Sequence, residues 1–581
     1  YRVLRKPEYD ITLHSRVQEY FEKVEKLSLK TELAKENFFE TFKLGVDSIF
    51  GKLVIDLMRL FDWVYPRSKF LNGAYGFWRR SFAREPEKIP DSWRPFLKGD
   101  GDVFKFMFCL ESAHALLARL ILAKACEDLK FPGIGISNFV VQKIHQFRGQ
   151  IPVVGYPIVL LRLLKEMKDQ LVYSIFEEDI FSWWSDAFVS LSEKSSGELL
   201  QEKVDDELES FSETIARLLF ILYKYDFSEV AGDPLGDLYQ QYFDKETRKA
   251  LGEFYTPVEV VNYILDAVEY KYVRHKRLLD PACGSGTFLV EALKRYLKEM
   301  EPVAKEKGWA FVLRELCNSP RIVGFDIHPF ACLIAQVRFM LELMPYYKKA
   351  IEEEKIMVQT SLQRLPIFRT DSLLIELEPS ENQRSPRLLV TEENLQFMVS
   401  LPIKVNSEEA VAAKVMIPTW QRTSVGTRYN LFNLDEYFCV TQAIFDEVKA
   451  MVKIDATEVP IKGLAAHIRK YLSNKDFDVI AEFFKLYADH ILSEIKRLQK
   501  EFEDGRLVKS IEDAVLSALL KNYVKYDFVV GNPPYVRVQK LPKEVRNYYH
   551  NKYASARGKF DIYLLFIERG IMWLEKAGRL G

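Results

Sequence analysis

A chain of 581 residues with 48% apolar and 28% charged side chains has the ordinary make-up of a folded globular protein, long enough for roughly two to four domains. A formal net charge of −1 excludes nucleic-acid binding through overall basicity and leaves that task to local patches. Six cysteines form no C-x-x-C pair, which argues against zinc sites and a disulfide framework and fits a cytoplasmic, reducing location.

Residues 1–230 read as mostly helical. Apolar periodicity predicts one helix over 111-ESAHALLARLILAKACEDLK-130, halted by 131-FPG-133, and another over 203-KVDDELESFSETIARLLFILYKY-225. The apolar text 115-ALLARLILAKA-125 is interrupted by Arg119 and Lys124, so no membrane span is expected, and no signal peptide opens the chain. A nuclease signature of two acids and a lysine on adjacent strands is not visible; 84-REPEKIPD-91 reads as a loop.

From 231 to 375 the rhythm changes. Short apolar runs end in Asp or Gly and amphipathic helices follow, the pattern of a parallel α/β sheet. Residues 376–520 interrupt it, with strand-like text over 386–405 and then helices, among them 477–505; from 521 to 581 the α/β rhythm resumes. A large insertion inside one sheet domain is the simplest account.

In 252-GEFYTPVEVVNYILDAV-268, Thr256, Pro257 and Glu259 are spaced as N-cap, N1 and N3 of a helix, a capping box. The basic run Arg274–Arg277 reads as a solvated loop. In 278-LLDPACGSGTFLVEALKRYL-297 a strand ends at Asp280, a glycine turn follows, and a helix begins near Thr287 with Glu291 placed four before Arg295. Gly284 and Gly286 allow a tight bend and close approach of a ligand, and the helix N-terminus suits a carboxylate. The string is neither a P-loop nor the G-x-G-x-x-G fingerprint; a plain β–α turn is the alternative. Asp326 closes the next strand, 321-RIVGFDIHPF-330, where an acid can accept from ribose hydroxyls or simply cap a helix. Asp371 in 369-RTDSLL-374 stands at a third strand end.

The strand 527-DFVV-530 then stops at 531-GNPPY-535. Two prolines cannot donate to a sheet ladder, so this is either a simple turn or a stiff presenting edge. In order, GEFYTP, DPACGSGTF, GFDIHPFA, DSL, DFVVGNPPY and 558-GKFDIYLLFIERG-570 resemble the γ-class amino-methyltransferases of DNA. These make N6-methyladenine in type I, type IIG and phage-defence systems. The resemblance covers roughly 230–375 and 521–581.

It implies a Rossmann-like sheet that binds S-adenosyl-L-methionine (AdoMet). The implied cofactor contacts are Tyr255, Thr256 and Pro257, then Asp280, Pro281, Ala282, Cys283, Gly284, Ser285, Gly286, Thr287 and Phe288. Asp326 with Ile327 would hold the ribose side and Asp371 with Ser372 the adenine side. Asn532, Pro533, Pro534 and Tyr535 are the implied catalytic tetrad. The Asn532 side-chain carbonyl and the Pro533 backbone carbonyl would accept from an amino group, and Tyr535 would stack on a flipped base. No metal is required. Arg537, Lys540, Lys543, Arg557 and Lys559, interleaved with Tyr548, Tyr549 and Tyr553, suit phosphate contacts and stacking with double-stranded DNA; a solvated loop is the alternative. The tetrad specifies a planar amino acceptor more firmly than adenine, so methylation of a protein glutamine or an RNA base, or an AdoMet-binding DNA-recognition subunit, stay open. The chain opens at Tyr1 and stops in mid-pattern at 576-KAGRLG-581, so a fragment is expected, with a target-recognition part or partner subunits elsewhere.

Overall fold

The computed structural model describes residues 10–83, 86, 89–97, 102–131, 135–147, 149–170, 173–176, 179–230, 256–354, 364–375, 388–390, 394–404, 410–418, 433–472, 476–502 and 507–581. Tyr255, the stretch 231–254 and part of 84–91 lie outside these residues. The chain divides into two compact units, residues 1–251 with 336–364, and residues 252–335 with 365–581.

Among the described residues the first unit is helical, with one two-residue parallel pairing of Leu27–Ser28 and Tyr225–Asp226. Its central helix runs from Val103 to Asp128, starting earlier than the periodicity indicated because Asp102 caps it by accepting from the Lys105 N–H. By length and composition this helix could cross a membrane, yet its apolar window is wholly buried inside the protein. Its buried charges are matched locally: Arg119 donates to Asp179 at 2.7 Å and to the Ile175 carbonyl at 2.9 Å, and Lys124 pairs with Asp128. Aromatic side chains fill the surroundings, with Trp78, Trp93, Trp183 and Phe108 fully or almost fully buried.

The second unit holds a five-stranded sheet, all parallel. Its strands are β1 (Leu278–Asp280), β2 (Ile322–Asp326), β3 (Ile367–Arg369), β4 (Tyr526–Val529) and β5 (Leu574–Leu580), in the order β5-β4-β1-β2-β3. Continuous apolar runs such as 278-LL-279 and 322-IV-323 form these strands because both faces are covered. Helix α1 (Val258–Ala267) precedes β1 and α2 (Thr287–Lys307) follows it; α3 (Pro329–Glu354) follows β2, and its residues from 336 on belong to the first unit. Helix α4 (Leu507–Asn522) leads into β4; α5 (Lys543–Lys552) and α6 (Tyr563–Trp573) lie between β4 and β5.

Among the described residues between β3 and α4 are an antiparallel three-stranded sheet (Leu388–Val390, Asn394–Lys404, Ala410–Pro418) and three helices (Leu434–Lys453, Ile461–Tyr471, Phe477–Phe502). This stretch is not separate from the main sheet. Phe438 joins Leu279, Val323, Phe325, Phe368, Leu516, Tyr526 and Trp573 in one buried core. Each such side chain contributes roughly 1.5–3 kcal/mol through burial.

Two local expectations are corrected here. Glu291 does not pair with Arg295. It is buried toward α1, accepting from Asn262 at 3.1 Å and pairing with Lys294 at 2.7 Å, while Arg295 reaches Asp266 at 2.6 Å. The run Arg274–Arg277 is not simply solvated either. Arg277 pairs with Asp435, its N–H donates to Asp527 at 2.8 Å, and the Lys276 ammonium lies 5.3 Å from the Phe528 ring centroid.

Candidate active site

In a parallel sheet all carboxyl ends share one edge, and a crevice opens where the strand order reverses. Here that point lies between β1 and β4. β1 ends at Asp280, 1% exposed, whose Oδ1 accepts from the Ala282 N–H at 3.1 Å. The Cys283 N–H donates to Phe325 at 2.9 Å, which pins the loop to β2. Gly284 (φ 51°) and Gly286 (φ 86°) make the turn. A Cβ on Gly284 would meet nothing within 4 Å, so bare backbone faces open space there. A Cβ on Gly286 would stand 2.9 Å from the Ala335 Cβ, which shows how closely α2 meets α3. Ser285, Thr287 and Phe288 are buried, and α2 starts at Thr287 with its N-terminal amides at the turn. The Cys283 thiol is buried, which holds it well above its ordinary pKa and makes it a packing group.

Burial pushes the Asp280 carboxyl up to about 8; the Ala282 N–H opposes this and the nearby Asp326 adds to it. An unfolded chain titrates this acid near its ordinary value. Between the two values the folded state holds a proton that the unfolded state has lost. Stability conferred by the neutral acid is therefore complete at low pH and falls as pH rises through that window. Asp280→Asn, which mimics the neutral form, should flatten this dependence. The check is the difference in urea midpoint between variant and parent from pH 5 to 9: it should widen in the variant's favour with rising pH, and a constant difference would refute the assignment.

Asp326 at the end of β2 is half-buried. Its Oδ2 accepts from the Gly284 N–H and its Oδ1 from the His328 N–H, at 2.9 and 2.8 Å. Burial raises its pKa against the pull of these amides. Burial, aided by the Arg369 charge, lowers His328 to about 3, so its ring is neutral. Ile327 is 54% exposed, a large apolar side chain beside the open loop. After β3, Asp371 accepts from the Leu373 N–H at 2.9 Å and its carbonyl accepts from the buried Lys521 ammonium at 3.0 Å. Ser372 is buried and donates to the Pro281 carbonyl at 2.5 Å, so its hydroxyl braces the β1 loop. Neither Lys521 nor this bracing is signalled in the local sequence.

β4 carries the tetrad to the same edge. The Val530 N–H donates to Leu279 at 2.9 Å, and a Cβ on Gly531 would stand 2.8 Å from Asp280 Oδ1. Asn532, Pro533 and Pro534 are partly exposed and Tyr535 is 55% exposed. Asn532 Nδ2 donates to Thr256 Oγ1 at 3.2 Å. The expected capping box is therefore not formed. Pro257 itself is the N-cap of α1, without a side-chain cap bond, and the Thr256 hydroxyl partners the tetrad.

Beyond the tetrad, Val536–Val538 pairs antiparallel with 560–562: the Val538 N–H donates to Phe560 and the Ile562 N–H to Val536, both at 3.0 Å. Arg537, Lys540, Lys543, Arg557 and Lys559 are all exposed. The tyrosines among them have a different role from the expected stacking. Tyr549 and Tyr553 are buried in a small core with Leu373, Val536, Val538, Phe560 and Leu565. The Tyr553 hydroxyl donates to the Leu373 carbonyl at 2.7 Å, and the Tyr548 hydroxyl accepts from the Ile375 N–H at 2.6 Å. Tyr563, not singled out from the sequence, lies 5.5 Å from Tyr535, centroid to centroid; its place inside GKFDIYLLF was the available signal.

A family model described as N-6 DNA Methylase matches residues 230–363, and one described as Eco57I restriction-modification methylase matches residues 321–581. Together the two matched stretches run from residue 230 to residue 581. Over 88 residues the chain is 42% identical to a type I restriction enzyme methylase subunit, MjaVII, of Methanocaldococcus jannaschii, covering 15% of each chain. It is 47% identical over 66 residues to the type II restriction enzyme and methyltransferase Eco57I of Escherichia coli, covering 11% of this chain and 6% of that one. It is 33% identical over 115 residues to the adenine-specific methyltransferase PglX of Streptomyces coelicolor, covering 19% and 9%. The matches thus span 15% or less of these relatives' own lengths.

Proposed function

We propose that this protein transfers a methyl group to the N6 amine of a flipped-out adenine in double-stranded DNA, within a restriction-modification or phage-defence system. One observation supports this most: Asn532 stands 3.2 Å from Thr256 and Gly531 packs on Asp280, so tetrad and glycine loop meet at one sheet edge. The residues fit AdoMet. The open space over Gly284 admits a ligand against bare backbone, and the exposed Ile327 offers an apolar face to an adenine ring. Asp326 would accept from the ribose, Asp371 would face the adenine amine, and Thr256 and the α2 N-terminus would hold the carboxylate. AdoMet supplies an electrophilic methyl group.

The acceptor amine is weakly nucleophilic because its lone pair is delocalised into the ring. Asn532 Oδ1 and the Pro533 carbonyl would accept hydrogen bonds from its two N–H groups and drive the nitrogen toward a tetrahedral shape; once nitrogen has bonded the methyl group, one of those protons is given up to solvent. The prolines hold that carbonyl in direction beforehand. Tyr535, with Tyr563 behind it, offers a face for the extruded base. The exposed Arg537, Lys540, Lys543, Arg557 and Lys559 would meet backbone phosphates. Further restriction or defence subunits, or a target-recognition part, would choose the site.

Gly531→Ala tests the shared edge. The added methyl must displace the Asp280 carboxyl, so AdoMet affinity should fall about tenfold, equivalent to roughly 1.4 kcal/mol; titration calorimetry measures it, and unchanged affinity would count against the reading. The proposed reaction itself is tested with tritiated AdoMet on unmethylated duplex DNA, with Asn532→Ala as control. Label is expected in N6-methyladenine. Label confined to protein or RNA would sink the proposal.

A further inference from the structure

We infer that Asp280 is the residue by which the site distinguishes the sulfonium cofactor AdoMet from its uncharged thioether product, S-adenosyl-L-homocysteine. The inference rests on the proposed binding of AdoMet.

A buried carboxylate needs a cation or several N–H donors beside it. Asp280 has neither. Among the described residues its side chain makes one hydrogen bond, from the Ala282 N–H at 3.1 Å, and pairs with no lysine, arginine or histidine. The titratable groups that face it add no positive charge. Asp326 approaches from β2, and the Cys283 thiol of its own loop is kept protonated by burial. From β4 it meets Gly531, and the Pro281 carbonyl beside it is braced by the Ser372 hydroxyl. The nearest cationic side chain in this network, Arg369, acts on His328 and Cys332 on the far side of Asp326. Two acids therefore stand at one sheet edge with no cation from the protein to offset them.

The position of Asp280 suits a cationic ligand. A Cβ on Gly531 would stand 2.8 Å from its Oδ1, and Asn532 follows directly. On its other side the chain leads into the turn where Gly284 faces open space. The acid thus lies at the joint between the residues proposed to hold the amine and those proposed to hold the cofactor, where the transferred methyl group has to be. Transfer of that methyl leaves sulfur uncharged, so the product no longer offers the acid a counter-charge. Without ligand, burial holds the carboxyl protonated up to about pH 8. A cation nearby favours the ionised form and lowers that value. AdoMet binding should therefore release a proton, and its affinity should rise with pH until about pH 8 and then level off.

The test titrates AdoMet and S-adenosyl-L-homocysteine separately into the full-length protein by calorimetry from pH 6 to 9. The ligands share the adenosine and the amino acid end, so the ratio of their affinities isolates the charge on sulfur. Their free amino groups also titrate in this range. Asp280→Asn, which cannot ionise, carries that drift and is the baseline. Preference for AdoMet should rise across the range about tenfold more in the parent than in the variant, the factor linked to one pKa unit. An increment below about threefold would overturn the inference. So would affinities for both ligands rising together, which an acid paired with their shared amino group would give. A second measurement needs no variant. At pH 6.5, where both amino groups are largely protonated, titration in buffers of different ionisation enthalpy should show more protons released by AdoMet than by the product, and equal release would overturn the inference. Absence of AdoMet binding by the parent would overturn the cofactor reading itself, which separates the two failures.

Discussion

Asn532→Ala should lower kcat for methyl transfer by about 10²–10³, the usual cost of deleting one preorganised group that meets developing charge. The substitution removes one of two acceptors and leaves the Pro533 carbonyl. It should not unfold the sheet. Asn532 is only partly buried, and loss of its bond to Thr256 costs about 1 kcal/mol. AdoMet affinity should change by less than about twofold, since the glycine loop is untouched. Tritium incorporation into duplex DNA, paired with calorimetric AdoMet titration, distinguishes these effects. A large fall in AdoMet affinity with kcat preserved would show that Asn532 acts as a ligand contact and not as the amine's acceptor.

Gly286→Val should act on the fold and the ligand site together. At φ 86° a β-branched residue is strained by about 1–3 kcal/mol. The new Cβ would also stand 2.9 Å from the Ala335 Cβ and 3.1 Å from its Cα. Overpacking of this kind costs about 1–3 kcal/mol, because α2 and α3 must separate. The combined loss, about 2–6 kcal/mol, approaches the whole stability of many domains. A depressed melting temperature and abolished AdoMet binding are expected. Gly284→Ala is the comparison: its φ of 51° carries the strain without the collision. Equal melting of the two variants would show that the Ala335 contact is unimportant.

How much of this was legible follows from how far apart the partners lie. The strand, glycine turn and helix over 278–297 are consecutive, and their signals are local; so is the stop at 531-GNPPY-535. What could not be read depended on remote neighbours. Thr256 looked like the N-cap of its own helix because a capping pattern is visible in sequence and Asn532, 276 residues on, is not. The acids Asp435 and Asp527 that engage Arg277 are equally remote, so a basic run read as solvated. Tyr548, Tyr549 and Tyr553 stood among cations and read as stacking groups. The loop over 373–375, against which they pack, lies 173 to 180 residues away. Glu291 stood at a good helical spacing from Arg295, but α1 offered each a better partner.

The Tyr548 and Tyr553 hydroxyls hold the backbone of residues 373–375, directly after Asp371. These bonds tie the basic segment following the tetrad to the loop at the end of β3. In an enzyme of the proposed kind, drawing a base toward Tyr535 and settling the far end of the cofactor would be a single stroke. A substrate that engages only the basic rim would tug on the loop beside Asp371, and a seated cofactor would preset the rim for its target.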